Sequence, residues 1–163
     1  MSDTTGWQLA ELNIAKARYE NDDPRFKDFV DMIGPVNEMA ERMPGYVWRL
    51  TDKGGVGTMD IQAFDDPRLL VNLSVWEDAE SLEAFVNKTV HAKVMGRRKE
   101  WFGAMETHHM VLWWVKAGHR PDLTEAKARL DLLNTEGPGP GAFTFGTIHT
   151  PDGTRLDWAK NTA

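Results

Sequence analysis

What most limits this chain is the parity of its strand-like segments. Leu70 to Trp76, with Leu69 leading in, alternates: Val71, Leu73 and Val75 form a wholly apolar face, and Leu70, Asn72, Ser74 and Trp76 form a mixed one. Successive strand residues point to opposite sides, so both faces of the sheet are covered, one of them by something that tolerates polar groups. Trp7 to Ala15 (WQLAELNIA) divides the same way, with Ala10, Leu12 and Ile14 opposed to Trp7, Leu9, Glu11 and Asn13. The apolar sets are expected to take the helices. Glu11, Asn13, Asn72, Ser74 and Trp76 are left as an aromatic surface with a few hydrogen-bonding groups, the composition of a small-molecule pocket.

The segments follow the order strand, helix, strand, strand, helix, strand. Asn21-Asp22-Asp23-Pro24 starts the first helix, with Asp23 as N-cap and Pro24 in the first turn, where its missing N–H costs nothing. Phe26, Phe29, Val30, Ile33, Val36, Ala40 and Met43 recur at helical spacing, and Gly34-Pro35 predicts a kink. Tyr46 to Thr51 reads as a second strand, Gly54 to Gly57 as a turn, and Thr58 to Phe64 as a short returning strand. Glu77-Asp78 caps a helix carrying Leu82, Phe85 and Val86, a further helix runs from about His91 to Phe102, and Thr107 to Val115 is the last core strand. This is the order of a ferredoxin-like βαββαβ domain of the α+β class, with helices on one face of the sheet. Appended to it are an amphipathic helix from Leu123 to Thr135, a Gly-Pro linker over 137–141 and a strand from Ala142 to Ile148. Residues 1–150 are thus expected to form one domain with a C-terminal extension, and 151–163 a polar, mobile tail. Asp-Asp-Pro-Arg occurs at Asp22 to Arg25 and again at Asp65 to Arg68, as shared turn chemistry and not as a repeat.

Composition removes several classes. The 163 residues suit one domain, and 25 acidic against 19 basic residues give a net charge of −6, which argues against a nucleic-acid backbone or an anionic membrane as partner. With no cysteine there is no disulfide, thiolate nucleophile or thiolate metal site. The start of the chain lacks the basic and apolar regions of a signal peptide, and no run approaches the ~20 apolar residues that span a bilayer, so a cytoplasmic location is expected. His108 and His109 are strand neighbours that point apart, no histidine pair has zincin spacing, and no metal site is expected. Gly54-Gly55-Val56-Gly57 lacks the spacing of a dinucleotide fingerprint.

The candidate site residues follow from the same faces. His91 and Arg98 fall on one helix face with Val94, Met95, Trp101 and Phe102. In that setting His91 suits a proton shuttle or a haem ligand, and Arg98 suits an anionic group, against the plainer readings of a half-buried histidine and a solvated arginine. Asn13, an amide on a strand of Leu and Ile, needs a partner, either substrate or a neighbouring element. Arg49 either pairs with Glu11 across adjacent strands or binds a carboxylate or phenolate. Asn72 faces the pocket, and Trp76 and Trp114 either stack on a planar substrate or belong to the core.

The order of elements, the junction Leu73-Ser74-Val75-Trp76-Glu77-Asp78 and the helix Ser81-Leu82-Glu83-Ala84-Phe85 with His91 beyond it resemble the dimeric α+β barrel superfamily. Trp48-Arg49, Phe64 to Leu69, Arg98 to Phe102 and Leu112 to His119 resemble a bacterial family of unassigned function related to the antibiotic-biosynthesis monooxygenases. The resemblance implies a homodimer in which two sheets pair face to face, each subunit keeping a cavity between sheet and helices. It leaves the reaction open. The first reading is a small-molecule enzyme, a cofactor-independent monooxygenase acting on a planar aromatic or polyketide-like substrate. There Asn13 and Arg49 orient the substrate, Trp76 and Trp114 stack on it and His91 takes its proton. The second is a haem protein or haem-dependent enzyme with His91 or His119 as axial ligand, although Phe85 and Met95 stand where the haem-degrading relatives carry their essential Trp and His. The third is a binding or assembly module without chemistry.

Overall fold

The computed structural model describes residues 4–55, 57–59 and 61–156. In chain order it contains β1 (Trp7–Ala17), α1 (Lys27–Arg42), β2 (Tyr46–Arg49), β3 (Leu69–Trp76), α2 (Ala79–Lys88), α3 (Val90–Gly96), α4 (Arg98–Trp101), β4 (Phe102–Gly103), β5 (Met110–Lys116) and α5 (Leu123–Glu136). The sheet is antiparallel and runs β2-β3-β1, with β5 and the two-residue β4 both pairing on the far side of β1. Strands that follow one another across a helix are therefore separated by a third strand, as a ferredoxin-like α+β sheet requires.

Local chemistry sets the helix starts. Asp23 accepts a hydrogen bond from the Arg25 amide at 2.9 Å and opens a single 3-10 turn, Pro24–Phe26, which leads into α1. Asp66 receives the Arg68 amide at 2.9 Å in the same way, so the repeated tetrapeptide is shared turn chemistry. Asp78 caps α2 through the Ser81 amide, and Asp122 caps α5 through the Glu125 amide, each at 2.8 Å. α1 runs unbroken through Pro35.

Several segments differ from the sequence expectation. The described part of Thr58 to Phe64 is irregular, because Ile61, Ala63 and Phe64 pack onto the apolar sheet face and do not pair with β2. Ala142 to Ile148 is not a strand. It makes two isolated bridges, Ala142 with Gly139 and Phe143 with Leu112, and then a 3-10 turn at Phe145–Thr147. The helix expected from His91 to Phe102 breaks at Arg97 into α3 and α4, and Phe102 passes into β4. Of the tail, residues 151–156 fold back through the His149–Arg155 bridge, and the remaining expectation falls on 157–163, outside the described residues.

Both sheet faces are covered by this one chain. The apolar face, with Ala10, Leu12, Leu73, Val75, Val111 and Trp113 all 0 % exposed, lies under α5 (Ala126, Leu130, Leu133) and the 61–64 segment. Trp113 Nε1 donates to Glu125 Oε2 at 2.9 Å, and Lys127 Nζ donates to the Ala63 carbonyl at 2.8 Å, pinning the cover in place. The face that the resemblance assigns to a second subunit is thus occupied by α5. The mixed face, expected to be free of helices, lies under α1 to α3, which meet it at both ends and leave a gap over its polar middle. Among the described residues no helix is long and apolar enough to cross a membrane.

The turn from α1 into β2 depends on Gly45, whose φ is +86°. A Cβ there would collide with the Ser81 side chain on α2, and the Gly45 carbonyl accepts the Glu77 amide at 2.8 Å. Gly45→Ala is expected to cost about 2 kcal/mol, read as a lower urea midpoint at unchanged slope. The Ser81→Gly background should restore part of that loss, because only the steric share can be relieved.

Candidate functional site

Strand register builds the site in three rows across the sheet. Leu9 lies between Trp76 and Trp114, Glu11 between Ser74 and Leu112, and Asn13 between Asn72 and Met110. Over the lower two rows the helices stand off and enclose a cavity of about 440 Å³, a volume suited to a small organic ligand. Phe29, Ile33 and Val36 of α1, Phe85 of α2 and Val94 of α3 supply its apolar walls. Five of the eight methionines (Met32, Met59, Met95, Met105 and Met110) also line it, and their flexible thioethers adapt to varied flat or irregular shapes.

Glu11 is the central polar group, in the cavity wall and only 4 % exposed. The Asn13 amide donates to its Oε1, Ser74 Oγ donates to Oε2 at 3.1 Å, and Trp76 Nε1 donates to Ser74 Oγ at 3.0 Å. The indole fixes the serine hydroxyl as donor toward the carboxyl, so the chain Trp76–Ser74–Glu11 has one direction. Burial pushes the Glu11 pKa up from 4.5 to about 7, with the Asn13 and Ser74 hydrogen bonds opposing it. Each carboxyl oxygen keeps a second lone pair for a proton taken from a bound molecule.

Parity alone places Glu11 on this face, yet pairing with Arg49 hides its role. The structure separates the two: β3 lies between β1 and β2, so the strands are about 10 Å apart. Arg49 instead binds Glu41 of α1 at 2.9 Å and the Gly55 carbonyl at 3.2 Å, while still reaching the cavity wall.

His91 lines the cavity opposite the sheet, with its ring centroid 5.0 Å from that of Phe85. Its Nδ1 is buried without a hydrogen-bond partner, and burial holds its pKa below the ordinary imidazole value. Asn72 and Arg98 also line the cavity, both exposed, Asn72 because open space and not protein lies over a central strand. Trp76 lines it too, but one ring face stacks on Phe85 at 5.3 Å and Tyr46 meets it edge-on at 5.7 Å, so it offers no free stacking platform. Trp114 does not reach the cavity. Its Nε1 donates to the His149 carbonyl at 2.7 Å, and its ring packs with the C-terminal segment. His119 is also outside the cavity, with Nε2 2.6 Å from Glu125 Oε1.

Solved structures of similar shape come from several organisms. A protein of unknown function from Nitrosomonas europaea is 12% identical, covering 72% of this chain and 95% of its own, with a TM-score of 0.44. A conserved protein from Methanosarcina mazei Go1 is 12% identical over 69% of this chain and 95% of its own, with a TM-score of 0.49. A proposed antibiotic biosynthesis monooxygenase from Chloroflexus aurantiacus J-10-fl is 17% identical over 71% of this chain and 98% of its own, with a TM-score of 0.39. No curated protein matches the chain. The family model described as "Domain of unknown function (DUF3291)" matches residues 8–159, nearly the whole fold including the α5 cover, and the chain belongs to that family.

Proposed function

We propose that this protein is a small-molecule enzyme that binds a planar, mostly apolar substrate in the cavity between sheet and helices and removes a proton from it with Glu11. The observation that carries this reading is a carboxyl group set in the wall of an open apolar cavity, held by Asn13 and Ser74 and paired with no cation among the described residues. A structural carboxylate in an apolar setting is ordinarily neutralised by a basic partner, and Arg49, which shares the Ser74 row with Glu11, is engaged by Glu41. A pKa of about 7 keeps the group close to half ionised at neutral pH, the condition that favours a general base. Asn13 then positions the base. The role first assigned to His91 passes to Glu11, and His91 lines the opposite wall with its ring against Phe85.

The specific form of this reading is cofactor-independent monooxygenation. A phenol with a free para position and dioxygen balance as a para-quinone and water, so no outside reductant is required. The chain's part is to bind the phenol, take its proton and keep bulk water away. Oxygen uptake with 1-naphthol, alongside a panel of other phenols and quinols, tests it. Glu11→Gln should lower the rate by about a hundredfold, the ordinary share of a general base. A wild-type protein that binds the panel and consumes no oxygen with any member would instead be a binding module. A cytoplasmic location belongs to this reading.

The haem reading retains one of its two candidate ligands. His91 lines the cavity, whereas His119 is held by Glu125 outside it. Haem would supply redox-active iron there. A Soret titration that breaks sharply at one haem per chain, and loses the break in His91→Ala, would establish that reading in place of the first.

A further inference from the structure

Resting on the cavity reading above, we propose that the natural ligand carries a carboxylate, bound at the cavity mouth by Arg98, while its uncharged body fills the methionine-lined interior.

The charges at the cavity single out this arginine. Arg97, its chain neighbour, is held by Glu100 and Asp28 at 2.8 and 3.1 Å, Arg49 by Glu41 and Arg68 by Glu20, each at 2.8 or 2.9 Å. Arg98 lines the cavity and, among the described residues, its guanidinium has no ion pair or hydrogen bond, although acidic residues outnumber basic ones in this chain. Among the described residues the cavity walls hold one carboxyl, Glu11, and the basic side chains of Arg49, Arg98, His91 and His109. His109 faces Arg98 closely enough for that charge to help hold its pKa down. Arg49 is neutralised by Glu41 and both histidines have lowered pKa values, so the cation left at the mouth without a counter-ion among the described residues is Arg98. Farther in, a second anion would meet Glu11 and apolar walls, where an unpaired charge is costly, so the carboxylate stays at the rim and the uncharged part goes inward. Asn72, exposed in the cavity and without a side-chain hydrogen bond among the described residues, is placed to bind a polar substituent of that body.

Equilibrium dialysis of the whole chain with 2-naphthoate and its neutral counterpart 2-naphthalenemethanol tests this at neutral pH. The wild type should prefer naphthoate. Arg98→Gln should weaken naphthoate by about tenfold and leave the alcohol unchanged, and Arg98→Lys should recover part of the loss. Arg97→Gln, one residue away but already neutralised, should change neither. Equal binding of the two probes, or an Arg97→Gln effect as large as that of Arg98→Gln, overturns the carboxylate proposal and leaves the cavity reading standing. Failure of both probes to bind removes both.

Discussion

At about pH 8 the Glu11→Gln protein is expected to be more stable than the parent by about 3 kcal/mol, although it has lost its base. Burial raises the folded pKa of Glu11 from 4.5 to about 7. Between those values the folded chain keeps a proton that the unfolded chain has released, so stability falls as pH rises. The contribution is fully present below 4.5 and fully lost above about 7. With about 1.4 kcal/mol per unit, the window of some 2.5 units gives the figure above. Gln cannot ionise and remains able to accept from Asn13 or Ser74, so its curve lacks this fall. His91 and His109, both with lowered pKa values, act in the opposite sense near pH 6.5: their unfolded forms bind more protons, and stability rises with pH. The gap between the two proteins therefore isolates Glu11, where either curve alone would not. Urea unfolding at about pH 5 and about pH 8 measures it. A gap that stays constant across the two conditions would show that Glu11 titrates as an ordinary surface carboxylate.

How far the sequence discloses this site depends on whether a feature is local. Parity along β1 and β3 separates Ala10, Leu12, Ile14, Val71, Leu73 and Val75 from Leu9, Glu11, Asn13, Asn72, Ser74 and Trp76, and the folded chain keeps both sets intact. The caps at Asp23 and Asp78 are equally local and equally legible. What decides the chemistry is long-range. Strand order places β3 between Arg49 and Glu11, which frees the carboxyl, and nothing in either segment encodes that separation. Trp114 shares the Leu9 row with Trp76, yet the segment around His149, 35 residues on, folds over it and takes its indole N–H. The break at Arg97 is also tertiary, since its guanidinium bridges to Asp28 of α1 and lies 4.7 Å over the Trp101 ring, leaving Arg98 at the cavity mouth.

Leu133→Asp is expected to release α5 from the sheet and convert the protein into a self-associating species. Leu133 is 1 % exposed and sits with Ala126 and Leu130 on the apolar face. An unpaired carboxylate there replaces a buried aliphatic side chain, a change worth about 4 kcal/mol or more from the lost burial and the stranded charge together. The rest of the sheet does not depend on α5, because α1 to α3 hold the other face through separate clusters around Trp76 and Trp101. Detachment of the cover is therefore less costly than global unfolding. It uncovers a continuous surface of Leu12, Leu73, Val75, Val111 and Trp113, the kind of patch that monomers rarely expose and that face-to-face sheet pairing buries. Light scattering should show a rise in molecular mass relative to the parent, with Trp113 emission shifting as its bond to Glu125 is lost. Glu125→Gln, which weakens that bond but keeps the apolar contacts, should leave the mass unchanged. If Leu133→Asp unfolds the whole chain instead, the sheet and its cover form one cooperative unit. The α5 segment would then be part of the core itself and no longer an appended replacement for a second subunit.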